Sequence, residues 1–202
     1  GPLAHPPRPD HFVEINNFYT ATVYEKGAEV IGMLKRLVGD ENYDKALTMY
    51  FDRHDGQAVT TEEFVKAMED ANGVDLSQFR VWYRQAGTPV LDVTGDYDKS
   101  AKTFTLNVAQ SCPATPGQED KDVYHLPLKI GLLDHEGSDI RFPVVDLDVA
   151  NVDDTAGFSA VLNVSEKEQK YVFRGIESAP TPSLLRGFSA PVKLDYSYSR
   201  DD

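Results

Sequence analysis

The chain has 202 residues, of which 41% are hydrophobic and 26% charged, a composition typical of a globular protein with one large or two small domains. Its formal net charge of −13 argues against a nucleic-acid-binding protein and against a protein that docks on anionic lipid, because both need a basic surface. A single cysteine, Cys112, excludes an intrachain disulfide and favours a reducing, cytoplasmic location, and no apolar run is long enough to cross a membrane.

Residues 18 to 86 show helical periodicity and predict an α-helical part of the chain. In the first predicted helix, which ends at Gly39, apolar residues recur at spacings of three, four and seven; they are Val23, Val30, Ile31, Leu34 and Leu37. A second apolar stripe predicts another helix and consists of Tyr43, Ala46, Leu47, Tyr50 and Phe51.

Signals for the start of a helix predict two further helices. Thr60 with Glu63 has the spacing of a capping box and predicts the start of the third helix. Asp75 with Gln78 predicts the start of the fourth, which Gly87 ends. Four helices with short connections therefore form the predicted helical part.

From residue 88 the apolar period changes from that of a helix to the alternation of β-strands. A first strand opens with Val90 to Val93, Gly95 to Asp98 is predicted to form a hairpin turn, and Thr103 to Val108 returns as the partner strand. The aspartate-rich segment 146–157 is expected to be a solvated loop. Further strands are predicted at 126–133, 140–145, 159–164, 170–173 and 192–198.

Short strands at regular spacing, with no helical pattern between them, are typical of an antiparallel β-sandwich. We therefore predict an α+β chain in two domains. Residues 1–87 are expected to form the helical part and residues 88–202 the β-sandwich, with a boundary near Gly87.

The histidines do not form a metal-binding pattern. No two of them have the i, i+4 spacing of helical zinc ligands, and no Cys-x-x-Cys pair occurs. We therefore expect this chain to bind no metal by itself. A catalytic nucleophile and a phosphate-binding loop also lack sequence signatures, so a complete active site is not expected.

The stretch FYTATVYEKGAEV, from Phe18 to Val30, carries two tyrosines five residues apart. Five residues of an α-helix turn through about 500°, so Tyr19 and Tyr24 are expected on different helical faces. Two interpretations of Tyr24 remain open. Its phenol either donates a hydrogen bond to an oxygen that gains negative charge, or belongs to a buried tyrosine with a satisfied hydroxyl group.

Long blocks of the sequence resemble one known family. The blocks are AHP at 4–6, RP at 8–9, INNFYT at 15–20, VYEKGAEV at 23–30, YF at 50–51, RHDG at 53–56, FV at 64–65, AMEDA at 67–71, VDLS at 74–77, FR at 79–80, WY at 82–83, GTP at 87–89, PATP at 113–116, VLNV at 161–164 and FSAPVKL at 188–194. Because the blocks keep their order over nearly the whole chain, the resemblance is specific. In these blocks the chain is similar to bacterial aminopeptidase N, the alanyl aminopeptidases among the zinc-dependent gluzincins.

Members of this family carry a His-Glu-x-x-His zinc motif and a Gly-Ala-Met-Glu-Asn stretch that holds the substrate's amine. Neither occurs in this chain. The resemblance places both upstream of Gly1, in an N-terminal catalytic half, and places a helical C-terminal domain after Asp202. It therefore implies an inactive fragment: the end of a thermolysin-like catalytic domain followed by the β-sandwich domain, with zinc bound only in the complete protein.

The resemblance also implies roles for three residues. Tyr24 corresponds to the tyrosine that stabilises the tetrahedral intermediate formed when zinc-bound water attacks the scissile carbonyl. Tyr19 corresponds to a tyrosine near the pocket for the substrate's first side chain, and Asn16 is expected to approach the peptide substrate. The expected function is removal of N-terminal residues from peptides; the alternative is a non-catalytic protein-interaction module. The fragment is also expected to expose apolar helix faces that favour self-association.

Overall fold

The computed structural model describes residues 4–143, 147–151 and 157–198. The helical part of these residues contains α1 (Gly27–Val38), α2 (Asp40–His54), α3 (Thr61–Asn72) and α4 (Val81–Arg84). Two 3₁₀ turns, Ile15–Asn17 and Gln78–Arg80, and a π-helical turn, Thr22–Lys26, accompany them. The strands are β1 (Val90–Asp98), β2 (Thr103–Ser111), β3 (Leu126–Leu133), β4 (Asp139–Ile140), β5 (Val149–Asn151), β6 (Ser159–Val164), β7 (Glu168–Arg174), β8 (Thr181–Ser183) and β9 (Lys193–Asp195). Within the described ranges, no helix combines the length and the apolar character needed to cross a membrane.

Helix α2 forms as predicted, and α1 begins only at Gly27, after the π-helical turn that contains Val23. Two residues assigned to their apolar stripes face solvent. In α1, Val30, Met33 and Leu34 are fully buried, whereas Ile31 is 41% exposed. In α2, Phe51 is 58% exposed. Ile31 borders a cavity described below, which leaves its side chain open to solvent.

The capping box predicted at the start of α3 is confirmed. The backbone N–H of Thr60 donates to Glu63 Oε2 (2.7 Å), and the N–H of Glu62 donates to Thr60 Oγ1 (3.2 Å). The fourth helix begins later than predicted. Asp75 Oδ1 accepts a hydrogen bond from the N–H of Ser77 (2.8 Å), so this aspartate forms a turn before the helix rather than its cap.

The strands form two facing sheets, as predicted for a β-sandwich. The first sheet has the strand order β7-β2-β1-β9, and the second has the order β4-β3-β6-β5, with β8 also paired to β3. Among the described strands, the pairs are antiparallel except for β1 with β9, which is parallel. Phe173 of β7 packs edge-to-face on Phe142, which follows β4, with 5.0 Å between ring centroids. The predicted α+β class is confirmed.

The hairpin turn predicted at 95–98 is wrong, because β1 continues through Asp98. The Asp98 carboxylate accepts a hydrogen bond from the N–H of Ser100 (2.8 Å) and so helps to form the actual turn. Gly95 lies inside the strand, where a Cβ atom would come within 2.7 Å of the Phe104 ring. A Gly-Asp pair is a usual turn signal, but this glycine provides space for an aromatic ring.

The segment 146–157, predicted as a solvated loop, contains strand β5, which pairs with β6. The carboxylate of Asp148, which is exposed just before β5, accepts a hydrogen bond from the side chain of Asn163 in β6 (2.9 Å). Residues 144–146 and 152–156, which include parts of this prediction and of the strand predicted before it, lie outside the described residues.

The helices and the sandwich share one hydrophobic core. Trp82 of α4 packs on Tyr124 with 4.3 Å between ring centroids, and its indole N–H donates to the carbonyl oxygen of His125 (2.8 Å). The side-chain amide of Gln78 donates to the carbonyl oxygen of Ser165 (2.6 Å). Because the core continues through the junction, the division of the chain into two domains remains a prediction.

Candidate active site

Tyr24 lies in the π-helical turn Thr22–Lys26, which leads directly into α1. The turn is closed by a hydrogen bond from the N–H of Gly27 to the carbonyl oxygen of Thr22. Such turns are rare and occur frequently at functional sites. The sequence predicts an ordinary helix here, because its residue types give no signal for the wider turn.

The rings of Tyr19 and Tyr24 are neighbours, with centroids 6.2 Å apart and planes inclined by 31°. The prediction that they lie on different helical faces is wrong, because Tyr19 precedes the helix and therefore does not follow its rotation. Tyr24 is 61% exposed and Tyr19 is 56% exposed. The interpretation of Tyr24 as a buried core tyrosine is therefore wrong, and its hydroxyl group has no hydrogen-bond partner among the described residues.

Thr20 holds the backbone at the start of the turn. Its carbonyl oxygen accepts from the N–H of Tyr24 (3.1 Å), and its hydroxyl oxygen accepts from the N–H of Val23 (3.3 Å). The same hydroxyl lies 2.9 Å from His5 Nε2. Because His5 Nδ1 must donate to the carbonyl oxygen of Pro6 (2.8 Å), Nε2 of the neutral ring accepts the Thr20 O–H. The N-terminal segment thus supports the backbone of Tyr24.

Lys26 ends the π-helical turn and faces the sandwich. Its Nζ donates a 2.6 Å hydrogen bond to the carbonyl oxygen of Gly87 and lies 5.5 Å from the centroid of the Trp82 ring. Burial lowers the pKa of this ammonium group from 10.5 to about 8, and the positive charge of Lys121 adds to the effect. No sequence pattern singles out Lys26, because its acceptor is 61 residues away.

Tyr24 borders an open cavity of about 600 Å³ between the N-terminal segment and the helices. This volume lies within the range of small-molecule sites, roughly 300–1,000 Å³. Arg8, whose guanidinium group lies 3.5 Å from the carboxylate of Glu62, provides a positive charge at the edge. Much of the cavity wall consists of aromatic rings, from Phe18, Tyr50, Phe64 and Tyr83.

The structure brings together two of the three predicted site residues. Asn16 lies in the 3₁₀ turn Ile15–Asn17, where its side-chain N–H donates to the Glu14 carboxylate (3.3 Å). Among the contacts of the described residues, none joins Asn16 to either tyrosine. The predicted roles of Tyr24, Tyr19 and Asn16 therefore remain predictions, with geometric support for the tyrosine pair.

Two family models match the chain in succession. Residues 4–83 match the Peptidase family M1 domain, and residues 87–197 match a domain of unknown function, DUF3458, with an Ig-like fold. The chain belongs to the M1 peptidases that carry this Ig-like domain. The part that matches the M1 domain contains the aromatic cavity, the π-helical turn and both tyrosines.

Individual M1 relatives match almost the whole chain. It is 50% identical over 198 residues to Aminopeptidase N of Escherichia coli (strain K12), an alignment that covers 98% of the chain and 22% of that protein. It is 47% identical over 200 residues to Aminopeptidase N of Haemophilus influenzae, with 99% and 22% covered. The solved structure of Legionella pneumophila aminopeptidase A in complex with aspartic acid superposes with a TM-score of 0.81 at 30% identity, covering 100% of this chain and 21% of that one. The chain thus spans about a fifth of the length of these relatives.

M1 aminopeptidases are in general zinc enzymes. Within the part of the chain that the structure describes, no three or more His, Cys, Asp or Glu side chains are grouped so that they could hold a metal ion. His5 is bonded to Thr20, and His125 Nε2 lies 3.1 Å from Asn163 Oδ1. The described residues therefore do not fit a zinc site.

Proposed function

We propose that residues 4–83 contribute one wall of the active site of a zinc-dependent aminopeptidase that removes N-terminal residues from peptides. The observation that carries this proposal is the exposed phenol of Tyr24, held on a π-helical turn at the edge of an aromatic cavity. The similarity to proteins named Aminopeptidase N supports it. In this proposal Tyr24 is a catalytic residue.

In the proposed reaction, the Tyr24 O–H donates a hydrogen bond to the carbonyl oxygen of the scissile peptide bond. That oxygen gains negative charge as its carbon becomes tetrahedral, so the hydrogen bond is stronger in the transition state than in the ground state. Thr20 and His5 fix the backbone of the turn before substrate arrives, which limits reorganisation. Loss of one such donor typically lowers the rate by about 10²–10³.

Tyr19 is proposed to contact the side chain of the substrate's first residue. Its exposed ring lies beside that of Tyr24. When the scissile carbonyl group is hydrogen-bonded to Tyr24, the side chain of the substrate's first residue therefore comes close to Tyr19. Asn16, which is exposed on the preceding 3₁₀ turn, is proposed to contact the same substrate. Both proposals concern binding rather than the chemical step.

The chain by itself is proposed to be inactive. Its sequence contains no His-Glu-x-x-His motif, and the described residues offer no ligand set for zinc. Measurement of bound zinc together with hydrolysis of aminoacyl anilides tests this proposal. One equivalent of zinc combined with robust turnover by the isolated chain would contradict it.

The role of Tyr24 is tested in the full-length peptidase that contains these residues. Tyr24→Phe is expected to lower kcat by roughly 10²–10³ while the zinc content stays unchanged. Tyr97→Phe is a matched control, because it removes a hydroxyl that donates to the carbonyl oxygen of Ile176 (3.0 Å) within the sandwich. Unchanged turnover in Tyr24→Phe would refute the assigned role.

A further inference from the structure

Lys26 connects the turn that carries Tyr24 to the junction with the sandwich. We propose that Lys26 is a positioning residue. It fixes the backbone of the π-helical turn on the side that faces the sandwich, and so holds the Tyr24 phenol in place for the reaction. The proposal rests on the catalytic role proposed for Tyr24. It assigns to Lys26 an effect on turnover through Tyr24, without contact to the substrate.

The two side chains lie on opposite sides of the turn. Tyr24 borders the aromatic cavity, whereas Lys26 is not among the residues that line it. Lys26 and Thr22 border a second cavity, of about 390 Å³, which lies between the turn and the sandwich and is also bordered by Gly87. Lys26 can therefore act on Tyr24 only through the backbone between them.

The backbone that accepts the Lys26 hydrogen bond is itself held in place. The carbonyl oxygen of Ala86, next to the acceptor residue Gly87, accepts a hydrogen bond from Lys121 Nζ (3.0 Å). Gly87 has a φ of +99°, and a Cβ atom there would lie 3.0 Å from the sulfur of Cys112. Lys26 thus ties the start of α1 to a tightly packed segment.

The aromatic contact of Lys26 is fixed as well. Trp82, whose ring lies under the ammonium group, donates from its indole nitrogen to the carbonyl oxygen of His125 (2.8 Å) and packs on Tyr124. Burial of an ammonium group is unfavourable unless hydrogen bonds and charges compensate it, and an apolar side chain of similar length would avoid this cost. The lysine therefore contributes a defined geometry rather than net stability.

A double-mutant cycle in the full-length peptidase tests the proposal, with Lys26→Met, Tyr24→Phe and the combined variant. Displacement of a catalytic group by about 1 Å can cost 10²-fold, so Lys26→Met is expected to lower kcat by roughly 10- to 100-fold. In the Tyr24→Phe background the same change is expected to lower kcat by less than about 2-fold, because the group that it positions is already absent. Changes in KM are expected to stay within about 3-fold in all variants.

Lys35→Met is the matched control, because Lys35 also contacts an aromatic ring (Tyr43, 5.8 Å) but lies at the other end of α1. It is expected to leave kcat unchanged. If Lys26→Met does not accumulate as folded protein, Lys26→Arg replaces it in the cycle. Arg keeps the charge but places it differently. Lys26→Arg is therefore also expected to lower kcat in the wild-type background and to have little effect on kcat in the Tyr24→Phe background.

The outcomes separate this proposal from the proposed function. An equal loss of kcat from the Lys26 variant in both backgrounds, or no loss in the wild-type background, overturns the role of Lys26. Unchanged kcat in Tyr24→Phe alone overturns the catalytic role of Tyr24 and this proposal with it. A loss of kcat in Tyr24→Phe but not in the Lys26 variant leaves the proposed function standing and removes only the positioning role.

Discussion

Lys26 Nζ donates a 2.6 Å hydrogen bond to the carbonyl oxygen of Gly87, and so joins the turn that carries Tyr24 to the start of the β-sandwich. The ammonium group of Lys26 is largely buried and lies over the ring of Trp82 in α4. The hydrogen bond links the two parts of the chain at the position where α1 begins.

The pH dependence of stability follows from the lowered pKa of Lys26. The pKa is about 8 in the folded chain and 10.5 in the unfolded one, so the unfolded chain binds more protons between these values. The free energy of unfolding contributed by Lys26 therefore rises with pH across this window, by up to about 1.4 kcal/mol per pH unit. The destabilisation caused by burying the charged Lys26 ammonium group is fully present below the pKa of the folded chain and absent above the pKa of the unfolded chain.

Urea unfolding of the wild type and of Lys26→Met, at pH 7.5 and at pH 10, measures this contribution. We expect the free energy of unfolding of the wild type, relative to that of Lys26→Met, to be larger at pH 10 than at pH 7.5. Comparison with Lys26→Met cancels the titration of other groups. A difference that is independent of pH would show that Lys26 is not desolvated as the structure indicates.

Gly95→Ala is expected to destabilise the chain by about 1–3 kcal/mol, because the added methyl group would overlap the Phe104 ring. Gly27→Ala provides the opposite control. Gly27 has helical backbone angles and no atom within 4 Å of the added Cβ, so this substitution is expected to stabilise the chain by about 0.4–1 kcal/mol. Chemical unfolding measures both effects. A change in the free energy of unfolding that has the same sign for both substitutions would argue against the packing at Gly95.

Gly131 leaves room for the Arg186 guanidinium group, which lies where a Cβ atom would stand. Arg186 donates to the hydroxyl groups of Ser183 and Ser159 (3.0 Å each) and pairs with Asp139. Gly131→Ala is expected to cost about 2–3 kcal/mol, because it displaces the charged group from these partners.

The cost of Gly131→Ala is expected to fall sharply in the Arg186→Ala background, where nothing is left to displace. Free energies of unfolding for the four members of the cycle give the coupling between the two sites. An equal cost in both backgrounds would show that the strand itself, rather than Arg186, excludes the methyl group.

The isolated chain is expected to self-associate through the apolar side chains near the candidate site. Exposed residues there include Phe12 (52% exposed) and Ile15 (53% exposed), in addition to the two tyrosines. Sedimentation velocity over a range of concentrations measures association. Phe12→Ser with Ile15→Ser is expected to reduce it, whereas Phe188→Ser, which removes a similarly exposed ring from the sandwich, should not. A monomer at high concentration would contradict the expectation.

Much of the fold follows from local patterns. Strands β3 and β6 have the bounds that alternation of apolar residues predicts, since each is limited by polar or turn residues close in sequence. The capping box of Thr60 and Glu63 depends on residues within one helical turn, so it too is visible in the sequence. The turn predicted at Gly95 is wrong because the ring that requires this glycine comes from the neighbouring strand.

The candidate site is less accessible from sequence. The resemblance selected Tyr24 and Tyr19, but helical geometry predicted different helical faces for them, whereas the structure places their ring centroids 6.2 Å apart. The prediction failed because Tyr19 precedes the helix, so the position of its ring does not follow the helical rotation. Lys26 has no local signal, since its carbonyl acceptor comes from the far end of the helical part.

The sequence by itself therefore determined the α+β class, most elements and the family, because each depends on residue order and on contacts over a few positions. Only the tertiary structure decided that Tyr24 is exposed beside Tyr19 and that Lys26 reaches Gly87. These relationships depend on how segments that are distant in sequence pack around an irregular turn. Such packing produces no periodic pattern of residue types, so the sequence does not predict it.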